Sequence, residues 1–183
     1  MKIAIIGIRG IPVIYSAFET CAEVLSSELV KRGHQLFVYC RSGHVSTKTQ
    51  VYKGVTLITL PHSKKKNFTT ITHSFLSTIH VCFSNYDAIL YLGVGSTLFS
   101  ILPRFFGIKT FVHIDGMDWK RKKWSVFGRM YLKTSEYLTT FFPNAVITDS
   151  HYMVDYYKRR YKKAIAYIPY GYFEIPKHID AKK

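Results

Sequence analysis

Acidic side chains are scarce in this sequence. Its 183 residues include 11 Asp and Glu against 26 Lys and Arg, which gives a formal net charge of +15. A charge of this size is unusual for an enzyme of neutral metabolites and indicates anionic partners, such as phosphorylated substrates or an anionic membrane face. A lysine-rich, solvated surface without a functional role is the alternative interpretation.

Cysteine is also rare, and the three residues are Cys21, Cys40 and Cys82. They show neither CxxC spacing nor a Cys/His pattern, so the sequence contains none of the common zinc-site signatures. Because their number is odd and their surroundings are apolar, we predict reduced thiols in a cytoplasmic protein.

Long apolar runs are missing as well. The first run, Ile3 to Ile6, is followed by Arg9 before it reaches the length of a signal-peptide core. The stretch 68–86 lacks Lys, Arg, Asp and Glu, but its many Thr, Ser and His residues make it too polar for hydrocarbon. We therefore predict a protein that is soluble or attached to a surface, without a transmembrane helix.

Short apolar runs alternate with segments of helical period along the whole chain. The predicted strands are 3–6, 36–40, 55–60, 88–92, 110–114, 145–148 and 165–168. The predicted helices are 17–32, 68–83, 96–107, 123–142 and 150–161. This alternation predicts an α/β fold, a Rossmann-like doubly wound parallel sheet with helices on both faces. We predict that this domain spans residues 1–170 and that 171–183 is a connector.

The stretch KIAIIGIRGIP at the start of the chain is a strand followed by a glycine-bearing turn. Arg9 and Gly10 in this turn, next to a helix start, suit a phosphate or pyrophosphate oxygen, although a tight turn with nothing bound is the alternative. The spacing is not GxGxxG and the second strand ends in Arg41 instead of an acidic residue. Nicotinamide dinucleotide binding is therefore not predicted, and a P-loop sequence is absent.

Three segments occur in an order that resembles a known family. They are KIAIIGIRGIP…Y..FET.AE.L, VHIDGMDWKRKKW and AVITDSHYMVDYY…IPYG. Together they are similar to the N-terminal domain of retaining, GT-B-fold glycosyltransferases of family four, in particular the rhamnosyltransferase-like bacterial group. The resemblance covers nearly the whole chain.

This resemblance implies the acceptor-binding half of a sugar-nucleotide-dependent glycosyltransferase, a hexosyltransferase that makes cell-surface polysaccharide. The family's second Rossmann-like domain binds most of the nucleotide sugar and would follow residue 183, so this half alone should be inactive. The resemblance further implies no metal or other cofactor, a polyprenyl-diphosphate-linked saccharide as acceptor, and a cytoplasmic protein peripheral to the inner face of the membrane. A non-catalytic half-protein that binds a separate donor-domain partner is the alternative function.

His113 and Asp115 are the predicted catalytic residues. Both lie at the carboxyl end of the fifth predicted strand, where this fold places functional groups. A neutral imidazole or a carboxylate there could orient the acceptor hydroxyl or the transferred sugar, and the resemblance implies a sugar contact from this loop. A histidine bonded to the backbone and a simple Asp-Gly turn are the respective alternatives.

The predicted substrate-binding residues lie in the glycine-bearing turns and the helix start at the same rim. They are Arg9, Gly10, Ser16, Glu19, Gly93, Gly95, Ser96 and Gly116. Ser16 and Ala17 stand where the family usually has a glycine pair, so their side chains partly obstruct a close backbone approach. Glu19 could instead complement the helix dipole, and Ser96 and Asp118 are predicted helix N-caps.

Basic and aromatic residues interleave in DWKRKKWSVFGRMYLK, Asp118 to Lys133. At helical spacing its aromatics share one arc, which suits an interfacial helix on an anionic membrane or, alternatively, a helix packed on the sheet. The residues predicted to bind lipid head groups or the acceptor diphosphate are Lys64, Lys65, Lys66, Arg121, Lys122 and Arg129. Nucleic-acid binding remains a minor alternative, since no reading motif is recognisable.

Overall fold

The computed structural model describes residues 1–12, 16–44, 50–65 and 68–170, and a sheet of eight strands forms its centre. The strands are β1 (Lys2–Ile6), β2 (Gln35–Arg41), β3 (Val51–Tyr52), β4 (Val55–Leu60), β5 (Ala88–Leu92), β6 (Lys109–Ile114), β7 (Ala145–Thr148) and β8 (Ala166–Tyr167). The α-helices are α1 (Ala17–Lys31), α2 (Thr69–Cys82), α3 (Leu102–Phe105), α4 (Val126–Leu138) and α5 (His151–Tyr161). Two 3₁₀ helices, Val94–Phe99 and Asp118–Lys120, complete these elements.

The strands lie in the order β3-β4-β2-β1-β5-β6-β7-β8. All neighbours pair in parallel except β3, which pairs antiparallel with β4. From β1 the chain winds outward to β2 and β4, then returns through α2 to β5 on the other side of β1. The direction of winding therefore reverses between β1 and β5, and the predicted Rossmann-like doubly wound sheet is confirmed.

Both faces of the sheet are covered, which explains why the central strands are apolar without alternation. In β1, Ile5 packs with α1 residues such as Ala22 in one core cluster. Its neighbours Ala4 and Ile6 point to the opposite face and join a second cluster with Leu132 of α4 and others from α2 and α5. Helix α1 thus covers one face, and α2, α4 and α5 cover the other.

The short edge strand β3 was not predicted. Lys53 and Gly54 both have positive φ, 49° and 79°, in the two-residue turn that joins β3 to β4. Such a turn is typical of a tight hairpin. Because β3 is two residues long, it carries no alternation that a sequence pattern could reveal.

The single helix predicted from Ser96 to Gly107 is wrong. The chain instead forms the 3₁₀ helix Val94–Phe99 and then the four-residue α3, with Pro103 in its first turn. Proline has no N–H and its ring clashes with the preceding turn of a helix, so it is best accommodated at a helix start, as here. Nor does Ser96 cap a helix, because its buried hydroxyl lies 2.8 Å from that of Ser74 on α2.

The helix predicted for 123–142 begins later than expected. The Ser125 hydroxyl accepts a hydrogen bond from the Gly128 N–H at 3.2 Å, so α4 starts at Val126 and ends at Leu138. Arg121 is extended between the 3₁₀ helix and α4. The predicted arc of aromatics is therefore wrong for its first turns, since Trp119 lies on a different element from the residues of α4. Asp118 is not an N-cap either, because its carboxylate pairs with Arg121 instead.

Two further predictions concerned the state of the cysteines and the presence of a membrane-spanning helix. Cys40 and Cys82 are buried, Cys21 is half-buried, and all three are free thiols. Within the described residues, no helix has both the length and the apolar character needed to cross a bilayer.

Candidate functional site

The crevice between β1 and β5 lies where the winding of the sheet reverses. Gly7 and Gly93, which follow these strands, have positive φ angles of 110° and 93°. A Cβ atom at Gly7 would lie 2.2 Å from the carbonyl oxygen of Leu92, so only glycine allows the two chain segments to come this close. Open α/β sheets bind ligands in this position.

His113 lies beside this crevice at the end of β6. Its side chain is 5% exposed, and neither ring nitrogen has a hydrogen-bond partner among the described residues. Phe18 of α1 meets the imidazole edge-on at 5.6 Å between ring centroids, and Tyr170 stacks on it at 5.4 Å. The alternative interpretation, a histidine bonded to backbone, does not describe this ring, although the His113 carbonyl does accept the Gly93 N–H at 2.9 Å.

Burial, and not the neighbouring charges, favours the neutral form of the His113 imidazole. Burial lowers its pKa, and the carboxylates of Asp149 and Asp115 offset part of this effect. A neutral imidazole carries one N–H donor and one acceptor nitrogen, so it can either donate a hydrogen bond to a sugar hydroxyl or accept one from it. One carboxylate oxygen of Asp149, which follows β7, is also buried without a partner among the described residues.

Asp115 lies one residue beyond β6 and is partly exposed. Its carboxylate is 3.7 Å from an Nη atom of Arg121, whose Nε lies 3.2 Å from Asp118. Burial and the neighbouring Asp115 raise the pKa of Asp118, and Arg121 opposes them. Arg121 thus pairs with two carboxylates, which leaves it less available for the lipid or diphosphate contact that we predicted. The carbonyl of Gly116 accepts the Asp118 N–H at 3.0 Å, so the loop is also a turn.

The predicted residues near the start of α1 are brought together. The Ser16 hydroxyl accepts the Glu19 N–H at 3.3 Å and caps the helix. Glu19 is 3% exposed, and its carboxylate accepts the Arg9 N–H at 3.3 Å. The Arg9 side chain is exposed, and the neighbouring Gly10 is buried with a φ of 146°. This group can therefore offer a guanidinium at the rim.

The predicted residues after β5 mostly serve internal contacts. The Gly95 carbonyl accepts the hydroxyl of Tyr131 at 2.6 Å, which ties this loop to α4. Ser96 is 1% exposed and bonded to Ser74, so its hydroxyl cannot reach a ligand without losing that bond. Of this segment, Gly93 borders the crevice most directly.

The predicted basic residues form two separate groups. Lys64 and Lys65 are exposed in the loop between β4 and α2, whereas Lys122 and Arg129 are exposed around the start of α4. Lys66 lies outside the described residues. Strands β4 and β6, which lead into the two groups, are four strand spacings apart, roughly 19 Å. One compact head group cannot contact both.

Exposed apolar side chains on the helices of the second core cluster form two groups. Phe83, Phe105, Phe106 and Phe141 lie at or after the ends of α2, α3 and α4, whereas Val126, Phe127 and Met130, here called the outer helical surface, lie at the start of α4. The rings of Phe83 and Phe106 are 5.8 Å apart, which joins the ends of α2 and α3. Trp119 and Trp124 pack against the core instead. The packing interpretation is therefore right for the tryptophans and wrong for Phe127 and Met130.

Sequence reasoning missed several groups that the structure places at the carboxyl edge. Asp149, Phe18 and Tyr170 adjoin His113, and a cluster around Arg41 lies beyond β1. Asp149 had a usable signal, since an acidic residue directly follows a short apolar strand. Among the described residues, no group of three or more His, Cys, Asp or Glu side chains is arranged to hold a metal ion.

Comparisons with known proteins give one family and a fold. A family model described as a domain of unknown function, DUF1972, matches residues 1–172. A search of the curated protein sequences finds no match. The crystal structure of Arabidopsis thaliana UGT89C1 complexed with UDP is similar to this chain, with a TM-score of 0.59 and 12% identity. The match covers 96% of this chain and 50% of that one, so the chain spans about half of its length. At this identity the likeness shows the fold.

Proposed function

Because the chain belongs to the DUF1972 family, and because its fold resembles half of a UDP-bound protein, we propose that it is the acceptor-binding half of a sugar-nucleotide-dependent, retaining glycosyltransferase. The observation that carries the proposal is the state of His113. Its buried imidazole has no hydrogen-bond partner among the described residues, and it lies at the ligand-binding edge of the sheet beside Asp115 and Asp149. Buried polar groups are normally paired, so this ring is well suited to a ligand hydroxyl.

In this proposal His113 and Asp115 hold the reacting sugar and the acceptor hydroxyl. A hydroxyl group both donates and accepts, as does neutral imidazole, so the ring can fix its orientation without a net charge. Holding two substrates in one crevice converts an encounter into an oriented reaction, which supplies much of the rate enhancement. The start of α1 favours negative charge on the departing diphosphate.

The donor side of the crevice would come from a second domain, either in the same polypeptide or in a separate chain. Exposed apolar residues at the carboxyl edge, Phe68, Leu98 and Ile168, suit coverage by such a domain. The alternative function, a non-catalytic half-protein that binds a donor-domain partner, uses the same surface. UGT89C1 binds UDP, and we propose that this protein uses a nucleotide sugar as donor in a rhamnosyltransferase-like reaction.

Glycosyl transfer by the full-length protein tests the proposal. A panel of nucleotide sugars would be offered with a polyprenyl-diphosphate-linked saccharide, and wild type would be compared with His113→Ala and Asp115→Ala. We expect transfer from one donor and a fall of about 100-fold or more in either variant, since an oriented polar group at the reacting centre is typically worth that much. The variant Arg159→Gln, at an exposed position of α5, should transfer normally.

Two other results would change the proposal. Transfer that survives both substitutions unchanged would contradict the role of this edge. If the chain alone is inactive but transfer appears when a separately produced donor domain is added, the half-protein alternative is correct.

We further propose that the outer helical surface rests on the anionic, cytoplasmic face of a membrane, where polysaccharide acceptors with polyprenyl anchors reside. Its exposed Phe127 and Met130 stand next to the cationic Lys122 and Arg129. Apolar rings can enter the interface while the cations meet lipid phosphates.

Sedimentation with lipid vesicles tests this location. Wild type should sediment with vesicles that contain anionic lipid and much less with purely zwitterionic ones, and Phe127→Ser should weaken binding severalfold. Phe75→Ser, at a half-exposed position on α2 outside this surface, is the control. Equal sedimentation of wild type with both kinds of vesicle, or of wild type and Phe127→Ser, would contradict the proposal.

A further inference from the structure

A second group of polar side chains lies at the carboxyl edge, on the opposite side of β1 from His113. Arg41 ends β2, His44 and His62 lie in the loops after β2 and β4, and His73 is on α2. Arg9 approaches from the loop after β1, where its carbonyl accepts the Arg41 N–H at 2.8 Å. We call these five residues the Arg41 cluster.

Arg41 is buried and only partly satisfied. Its side chain is 8% exposed, and one Nη atom donates to the Thr70 hydroxyl at 3.0 Å. Its Nε atom is buried without a partner among the described residues. Burial and the neighbouring Arg9 lower the pKa of Arg41 to about 10, while Glu19 opposes them. The guanidinium therefore stays charged at neutral pH. Its buried Nε–H is available to donate a hydrogen bond to a ligand.

The histidines of the cluster are similarly short of partners. His73 is fully buried, and neither of its ring nitrogens has a well-formed hydrogen bond among the described residues. The Nδ1 atom of His62 is buried and unpartnered as well, and its ring centroid lies 5.9 Å from that of His44. These ring nitrogens can form hydrogen bonds, but the described part of the chain supplies no well-formed partner for them.

The charges at this place are predominantly positive. The Arg41 guanidinium interacts electrostatically with Arg9 and with the Glu19 carboxylate, and that carboxylate also accepts the Arg9 N–H. Helices α1 and α2 both begin here, and the residue before α2 is Phe68, whose side chain cannot act as a cap. Helix starts carry partial positive charge, so both add to the attraction for an anion.

We propose that the Arg41 cluster binds a phosphoryl group, with Arg41 as the central donor and Arg9, His44 and His62 around it. An arginine whose N–H groups form a fixed fork suits an anion with several oxygens, and several surrounding donors favour a phosphoryl group over a two-oxygen carboxylate. We assign this phosphoryl group to the diphosphate of the lipid-linked acceptor, and this assignment rests on the proposed function. The site would then lie apart from Lys122 and Arg129, which we proposed for lipid head groups.

Titration of the chain with inorganic pyrophosphate, followed by phosphorus NMR and calorimetry, tests the site. We expect saturable binding that is weakened about tenfold or more in Arg41→Gln and severalfold in Arg9→Gln, since a hydrogen bond to a charged group is worth that much. Arg159→Gln should bind as wild type does. Because Arg41 is buried, its variant could unfold, which circular dichroism would reveal. Arg9 is exposed, so its variant keeps the test decisive.

No saturable binding to wild type, or equal binding to wild type and Arg9→Gln, would overturn the proposal. The source of the phosphoryl group is distinguished by competition between pyrophosphate and two ligands, geranyl diphosphate and UDP. Stronger competition by geranyl diphosphate supports the acceptor, whereas stronger competition by UDP contradicts that assignment. Pyrophosphate binding without any glycosyl transfer would leave the site standing and reject the proposed function. Transfer that persists in Arg9→Gln and Arg41→Gln would reject the acceptor assignment alone.

Discussion

Two buried polar side chains, Glu136 on α4 and His113 on β6, differ in how completely they are paired. Glu136 is 1% exposed and accepts three hydrogen bonds, from Trp119 Nε1 at 2.9 Å and from the hydroxyls of Tyr156 and Tyr161 at 2.8 and 2.6 Å. The imidazole of His113 is nearly as buried, yet it has no partner among the described residues.

In our proposal this difference separates a polar side chain with a structural role from one that binds substrate. Glu136 joins the second 3₁₀ helix, α4 and α5 into one body, so its partners are all supplied by the fold. His113 and Arg41 lie at the carboxyl edge with unused hydrogen-bonding capacity, which the fold would leave unpaired only at a cost. Proteins tolerate such conflicts mainly where a ligand resolves them.

The largest effect should follow from Glu136→Ala. This change leaves an indole N–H and two hydroxyls, all partly buried, without their acceptor. Because each donor left without its partner costs about 1–3 kcal/mol, we expect a loss of about 3–5 kcal/mol of the free energy of unfolding. For a chain of this length that corresponds to a melting temperature lower by about 10 °C. Urea and thermal unfolding would measure it, with Glu28→Ala at an exposed position of α1 as control. Equal stability of the two variants would refute the structural role of Glu136.

A smaller loss of stability is expected at acidic pH. Burial first, and then Arg41, His62 and His44, lower the pKa of His73 to about 4, and the Cys40 backbone opposes them. Below pH 6.5, about the ordinary pKa of a histidine, the unfolded chain therefore binds more protons at this residue than the folded chain does. The contribution of His73 to the free energy of unfolding is fully present above that pH and is lost as the pH falls toward 4. Linkage gives roughly 2 kcal/mol of lost stability at pH 5 from this residue.

Urea unfolding at pH 7.5 and pH 5 would test this dependence. His73→Leu should reduce the acid loss, and His151→Gln, at an exposed position of α5, should retain it. His113 shifts in the same direction, so some acid sensitivity remains in the His73 variant. An unchanged loss in His73→Leu would show that the buried imidazole is not its source.

The smallest effect on stability is expected for His113→Leu. Replacing a buried, unpartnered polar ring by an apolar side chain of similar size removes no hydrogen bond, so the free energy of unfolding should change by less than about 1 kcal/mol. Chemical denaturation followed by intrinsic fluorescence would measure the change. A loss as large as that of Glu136→Ala would mean that the fold itself depends on the imidazole, which would erase the contrast between the two sites.

The fold was largely predictable because its signals are local and repeated. The continuous apolar runs gave β5 and β7 with their observed bounds, and the helical period from Ala17 gave the start of α1, where the structure adds a cap by the Ser16 hydroxyl. The errors lie where a side chain decides the backbone locally. Ser125 delays α4, and Pro103 divides the segment after β5 into a 3₁₀ helix and a short α-helix.

The site was predictable in position and less so in detail. His113 and Asp115 lie at the end of β6, as the strand pattern predicted, but their catalytic roles remain predictions. Pairing between distant parts of the chain could not be inferred, since Ser96 meets a serine 22 positions away and Arg121 turns toward two carboxylates. Nor could the sequence reveal which buried nitrogens lack partners, because that depends on every element packed around them.

Glycosyl transfer by full-length His113→Leu, measured beside its stability, tests the central claim most directly. The account predicts a protein as stable as wild type whose transfer to the lipid-linked acceptor falls by about 100-fold or more. Transfer at the wild-type rate by this variant would contradict the claim that the unpartnered imidazole is held ready for substrate.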